Sequence, residues 1–187
     1  MGNEKSIKKA IIKKRISELK VKKFSFQINR IILPNGHEGE YGSIIHPGAA
    51  LAVPITKEGK VIILRQYRFA VSRYLLEFPA GTLETGETPL NSIKREIQEE
   101  TGYKAKVWDN LGILVPAPGY ADEEIHLFLA RELSKLESIP EGDLDEDIEV
   151  LILSPLELDN LIAGGEEVLD AKTVTAWFRA KQLLKSE

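Results

Sequence analysis

Cysteine is absent from the 187 residues, which removes disulfides, thiolate nucleophiles and Cys-type zinc sites from consideration. Long apolar runs are missing too. No stretch approaches the ~20 residues that a membrane span requires, and the lysine-rich N-terminus lacks the continuous apolar core of a signal peptide. Internal repeats and low-complexity tracts are also lacking. The three histidines lie beside a turn (His37), before Pro-Gly (His46) and in a strand pattern (His126), and all read as structural. What remains is 43% hydrophobic and 29% charged, the composition of a soluble protein with one domain and an arm. A reducing, cytoplasmic setting is expected, with no membrane contact.

Charge is divided unevenly. Residues 1–30 hold ten Lys/Arg against two acids, net +8, and the remainder holds 15 against 27, net −12. A basic arm raises the question of nucleic acid. However, Ile7, Ile11, Ile12, Ile16 and Leu19 recur at roughly helical spacing, which predicts an amphipathic helix with a solvated lysine face and no nucleic-acid partner. Phe24, Phe26 and Ile28, then Pro34-Asn35-Gly36, then Tyr41 to Ile45 predict a β-hairpin. A boundary at His46-Pro47-Gly48 separates this arm, residues 1–47, from a main domain, residues 48–187.

In the main domain, strands are expected at Leu51 to Ile55, Val61 to Leu64, Tyr74 to Phe78, Lys104 to Trp108, Leu111 to Val115, Ile125 to Ala130 and Ile148 to Leu153. Thr88-Pro89 is a helix start and Gly102 its stop. Ser154-Pro155-Leu156-Glu157 has capping-box form, and a last helix over residues 170–184 presents Val174, Trp177, Phe178 and Leu184 at core-like spacing. Trp108 is likewise assigned to the core. Hairpin-linked strands mixed with helices predict a mixed sheet between helices rather than a doubly wound one.

The helix after Thr88 carries the chemistry. Leu90, Ile93 and Ile97 form one stripe, and Glu96, Glu99 and Glu100 form another about a quarter-turn away. Glu96 and Glu100 are a like-charge i,i+4 pair, which is unfavourable unless a cation compensates. Arg95 can reach Glu99, leaving Glu96 and Glu100 for a hard divalent ion such as Mg²⁺ or Mn²⁺. An acidic helix alone is more often a solvated face. The spacing of Gly81, Glu87, Arg95, Glu96, Ile97, Glu99, Glu100 and Gly102 decides otherwise, because it matches G-x5-E-x7-R-E-U-x-E-E-x-G-U, the signature of Nudix hydrolases. At roughly one in fifteen per fixed residue, chance agreement at the seven is on the order of 10⁻⁸ per starting position. Tyr103 stands where the family usually has an aliphatic residue.

The flanks resemble the ADP-ribose and sugar-nucleotide pyrophosphatase subgroup: His46-Pro47-Gly48-Ala49, Arg65-Gln66-Tyr67-Arg68, Glu77-Phe78-Pro79-Ala80-Gly81 and Pro116 to Glu123. The resemblance spans about residues 24 to 180. It implies an α/β/α sandwich with a mixed sheet, plus the small N-terminal helix and hairpin arm. It also implies hydrolysis of ADP-ribose, or a related nucleoside diphosphate sugar, to a nucleoside monophosphate and a sugar phosphate with two or three Mg²⁺ ions. GDP-mannose or broad sugar-nucleotide hydrolysis is the alternative, and a non-hydrolysing sensor is a third possibility.

On that resemblance, Glu96, Glu100 and the Ala80 carbonyl bind metal, Glu99 is a ligand or supports one, and Glu87 and Arg95 tie loop to helix. Arg68 would contact the diphosphate or terminal ribose, Glu77 would accept from an adenine edge, and Arg65 is a second cation. The general base would be Glu146, with Asp145, Asp147 and Glu123 as alternatives. Phe24 or Phe26 could stack on the base, and the arm would cross to a partner in a homodimer.

Overall fold

The structure, a computed structural model, describes residues 9–138, 140, 147–165, 167 and 169–186. The chain divides into two units, one of Met1–Pro47 with Ala117–Glu123 and the other of Gly48–Pro116 with Glu124–Glu187.

The first unit is an antiparallel meander of β1 (Ile11–Lys20), β2 (Ser25–Ile32) and β3 (Glu38–Ile45). Residues 117–123 run beside β3, where the Ile44 amide donates to the Tyr120 carbonyl at 2.8 Å and the Asp122 amide to the Ile44 carbonyl at 3.2 Å. The expected N-terminal helix is therefore corrected to a strand from Ile11 onward. Its pairing with β2 is irregular between Ile12 and Lys14 and between Arg15 and Ser17. Each irregularity inserts a residue, so Ile11, Lys14, Ser17 and Leu19 share one face while Ile12 lies on the other and Ile16 has no register partner; the isoleucines at helical spacing do not line one side of the strand. The β-branched isoleucines favour the extended form. Every residue of β1 is exposed, Ile12 and Leu19 at 66% each.

In the second unit, β4 (Ala49–Pro54) and β10 (Ile125–Arg131) run parallel at the centre of a four-stranded mixed sheet, flanked by antiparallel β7 (Ala80–Thr82) and β9 (Val107–Leu114). A second, antiparallel sheet sets β5 (Val61–Arg68) between β6 (Arg73–Glu77) and β12 (Ile148–Leu153). A short ribbon pairs β8 (Tyr103–Lys104) with β11 (Ser134–Lys135). Every residue of β4 is buried, which accounts for its unbroken apolar sequence. On one side Ala50 and Ala52 join Ile62, Ile93, Ile97 and Phe128 under α1 (Pro89–Thr101). On the other, Leu51 and Val53 join Ile63, Leu127, Leu158 and Trp177 beneath α2 (Pro155–Gly164) and α3 (Ala171–Ser186). This is an α/β/α sandwich with mixed strands, as expected.

Two details differ from expectation. Val107–Leu114 is one continuous strand where two were expected. In α3 the buried face is Thr173, Ala176, Trp177 and Ala180, while Phe178 is 60% exposed. Small alanines let α3 lie close to the sheet, and a pattern read from large side chains overlooks them. Among the described residues, no helix is long and apolar enough to cross a membrane.

Candidate active site

Local rules place α1. Thr88 caps it by accepting the Asn91 amide at 3.3 Å, Pro89 occupies the first turn, and Gly102 ends it at φ 72°, a left-handed backbone that suits glycine. Ile93 and Ile97 fix the buried face. The carboxylates consequently lie above β7, which β4 holds through the pairing of Ala50 with Gly81 and Leu51 with Ala80.

Two of those carboxylates converge on the β7 backbone. Glu100, 9% exposed, accepts the Ala80 amide at 3.1 Å. Glu96 lies so close to Gly81 that a Cβ there would fall inside its carboxyl group. Arg95 binds Glu96 and Glu99 at 2.9 Å each and Glu87 at 3.4 Å. It thus joins loop to helix, and it reaches Glu96 as well as the expected Glu99. Burial works against the Arg95 charge, yet the three carboxylates raise its pKa well above the ordinary value.

Among the described residues, no three histidine, aspartate or glutamate side chains are gathered around one point. The pair Glu96 and Glu100 instead brackets the Ala80–Gly81 backbone of β7. Its donors are all hard oxygens, and a divalent ion that completes its shell with backbone carbonyl and water fits such a set.

The cationic side of the site is separate. On β5, alternation places Arg68 on the face of Ile62, which packs under α1, and Arg65 on the face of Ile63, which packs toward α3. Arg65 is thus parted from the carboxylates. Its guanidinium stacks over Tyr74, 4.4 Å from the ring centroid, and lies 3.7 Å from Glu149. Tyr74 donates to Asp147 at 2.6 Å, and that bond raises the phenol pKa. Asp147 also accepts the Tyr67 amide through its carbonyl, at 3.1 Å.

Arg68 grips Glu77 with two bonds, Nε to Oε1 at 2.7 Å and Nη2 to Oε2 at 2.9 Å. Lys172 donates to the same Oε2. Glu77 is only 1% exposed, and its carboxylate is held by these two cations. Burial pushes the Glu77 pKa up, but the Arg68 hydrogen bond and the two charges outweigh this and hold it below the usual carboxylate value. Lys172 was not anticipated from the sequence, although a lysine in the first turn of a helix opposes the helix dipole and calls for an acid nearby.

Glu123 belongs to the first unit, where it lies 3.7 Å from His46 Nδ1, while the His46 amide donates to Asp122 at 2.8 Å. Glu146 and Asp145 lie outside the described residues.

A family model for the NUDIX domain matches residues 45–185. The ADP-ribose pyrophosphatase of Bacillus subtilis (strain 168) is 39% identical over 181 residues, 96% of each chain. The methanol dehydrogenase activator of Bacillus methanolicus is 40% identical over 152 residues, 80% of each chain. A crystal structure of an ADP compounds hydrolase shares the fold with a TM-score of 0.80 at 25% identity, covering 97% of both chains.

Proposed function

The chain belongs to the NUDIX domain family, and from that premise we propose that it hydrolyses the pyrophosphate bond of ADP-ribose, or a closely related nucleoside diphosphate sugar, with Mg²⁺. The carrying observation is the convergence of Glu96 and Glu100 on the Ala80–Gly81 backbone of β7. The whole-length likeness to an ADP-ribose pyrophosphatase supports the substrate class. Water attacks one phosphorus, the bridging P–O bond breaks, and a nucleoside monophosphate and a sugar phosphate leave.

Glu96 and Glu100, with the Ala80 carbonyl, would hold two or three Mg²⁺ ions, and Glu99 supports them. Bound there, such ions neutralise the diphosphate and acidify the attacking water. The protein's own residues do the rest. Arg95 keeps the carboxylates from repelling one another in the substrate-free state and holds Glu87 to the helix. Arg68, with its side chain 39% exposed, meets the diphosphate or terminal ribose. Glu146 takes the proton from water. Asp147 is less suited to that task, because its carboxylate accepts from Tyr74.

We also assign the first unit to homodimerisation. One face of its meander carries Ile11, Leu19, Phe26, Ile28, Ile32 and Ile44, and among the described residues the outer edge of β1 pairs with no other strand, a hydrogen-bonding row that natural proteins rarely leave open. A second copy of the chain covers it, and residues 1–47 act as the arm of the Nudix domain at 48–187. The lack of cysteine suits the cytoplasm.

The test is a nucleotide panel assayed with Mg²⁺ and resolved by product chromatography. ADP-ribose should give AMP and ribose 5-phosphate with a higher kcat/KM than GDP-mannose, and failure to turn over any nucleoside diphosphate sugar would overturn the proposal. Light scattering at micromolar concentration should report a dimer; a monomer would remove the role given to the arm.

A further inference from the structure

A serine or threonine inside a helix commonly bonds back to the carbonyl four residues earlier. Thr101 does so to Ile97, and Thr175 does so to Ala171 at 2.8 Å. Ser92 does not. It is fully buried near the start of α1, and its Oγ has no hydrogen-bond partner among the described residues. The acceptor it would use, the Thr88 carbonyl, already takes the Asn91 amide at 2.9 Å and the Ser92 amide at 3.0 Å. Among the described residues only three buried side-chain atoms lack a partner, and two of them, Ser92 Oγ and Arg95 Nε, lie within one turn of α1. A buried polar atom left without a partner lowers stability. Two of them on one turn point to a partner that another state of the site supplies.

Both atoms flank Glu96. Positions 92 and 96 are i,i+4 neighbours, about 5–6 Å apart at Cβ, and helical side chains lean toward the N-terminus, which carries Glu96 back toward Ser92. In the structure the Glu96 carboxylate is held against Gly81 and by Arg95 Nη2 at 2.9 Å, beyond hydrogen-bond reach of the Ser92 hydroxyl. A divalent ion at Glu96 competes with Arg95 for that carboxylate. A carboxylate has about four acceptor positions, so one that ligates an ion still accepts from a hydroxyl. Such supporting bonds orient the ligand and strengthen metal binding.

We propose that Ser92 is a positioning residue for the metal: in the ion-loaded protein its hydroxyl donates to Glu96 and holds that carboxylate for the ion. This rests on the reading of Glu96 as a metal ligand. In the metal-free protein the hydroxyl contributes nothing to the fold, so it destabilises one state and supports the other.

The experiment titrates the metal-free full chain with Mg²⁺ alone by calorimetry and records the melting temperature with and without Mg²⁺. Ser92→Ala should keep the metal-free melting temperature or raise it by up to about 4 °C. The same variant should bind Mg²⁺ roughly tenfold more weakly and show a smaller Mg²⁺-induced rise in melting temperature. Half-maximal activation of ADP-ribose hydrolysis should move to higher Mg²⁺ by the same factor. Ser92→Thr, which keeps a hydroxyl, should bind Mg²⁺ within about threefold of the wild type. If Ser92→Ala does not fold, Ser92→Cys decides, because its thiol fills the same place as a weak donor and should also weaken Mg²⁺ binding. Unchanged Mg²⁺ affinity in the folded variant overturns the proposal and leaves Ser92 a small side chain that merely fits. A metal-free melting temperature lowered by several degrees overturns it too, since the hydroxyl would then have its partner in that state. Glu96→Gln separates the two levels: unchanged Mg²⁺ affinity there removes the premise about Glu96, whereas weakened affinity there with none in Ser92→Ala defeats this inference alone.

Discussion

Two ion clusters in the second unit each divide one ion among several partners. Arg95 is one cation divided among Glu87, Glu96 and Glu99, and Glu77 is one anion divided between Arg68 and Lys172. The first leaves a surplus of negative charge and so invites cations. The second is balanced, because Asp170 also binds Lys172, and the Arg68 guanidinium is its half-exposed end. The comparison shows how a fold can gather like charges in one place without leaving a buried charge unpaired. The two also differ in origin: the acidic cluster comes from one loop and helix, whereas the basic one joins β5, β6 and α3 across 104 positions from Arg68 to Lys172.

The largest expected effect comes from reducing the negative surplus. Glu100→Gln keeps an acceptor for the Ala80 amide and therefore the fold, but should lower turnover by roughly three orders of magnitude; Mg²⁺ titration by calorimetry should show weakened binding. If turnover persists, the acidic cluster is structural. Next comes Glu146→Gln, which leaves both clusters intact. Turnover should fall about a hundredfold at constant KM, as for a lost general base, and full activity would move the base to Asp145, Asp147 or Glu123.

A smaller effect sharpens the basic cluster. Arg68→Ala should raise KM about tenfold with kcat nearly unchanged, because it removes the proposed contact to the diphosphate or terminal ribose. An unchanged KM would remove that role from Arg68. Smallest is an acid titration. The Glu77 pKa is lower in the folded chain than its ordinary 4.5, so its contribution to stability is complete above the unfolded value and disappears as pH falls through the folded one. The melting temperature of the wild type should decline below about pH 4 more steeply than that of Glu77→Gln.

Much of the acidic cluster was legible because its causes are local. Thr88, Pro89 and Gly102 define the helix ends within a few residues, and 3.6-residue periodicity puts Ile93 and Ile97 opposite the glutamates. The basic cluster was only half legible. Arg68 and Glu77 could be named from the resemblance, but the role expected for Glu77 presumed an exposed side chain, and burial is a property of the packed layers. Lys172 was invisible because no sequence rule links a helix's first turn to a strand 95 residues earlier. Arg65 and Arg68 are three apart on one strand, so alternation must separate them, a point lost when the strand was expected to end at Leu64. Residues 11–20 misled for the opposite reason: isoleucines at helical spacing in the sequence fall on both faces of an irregularly paired strand, whose pairing with β2 is not local.

The gap at Gly81 places a limit on how this site can be altered. There is no space between backbone and Glu96 for even one extra carbon, so Gly81→Ala forces Glu96 into another rotamer while every charge stays in place. That single methyl is a dial for ligand geometry independent of ligand chemistry, and it would let the distance dependence of catalysis be measured in an otherwise unchanged protein.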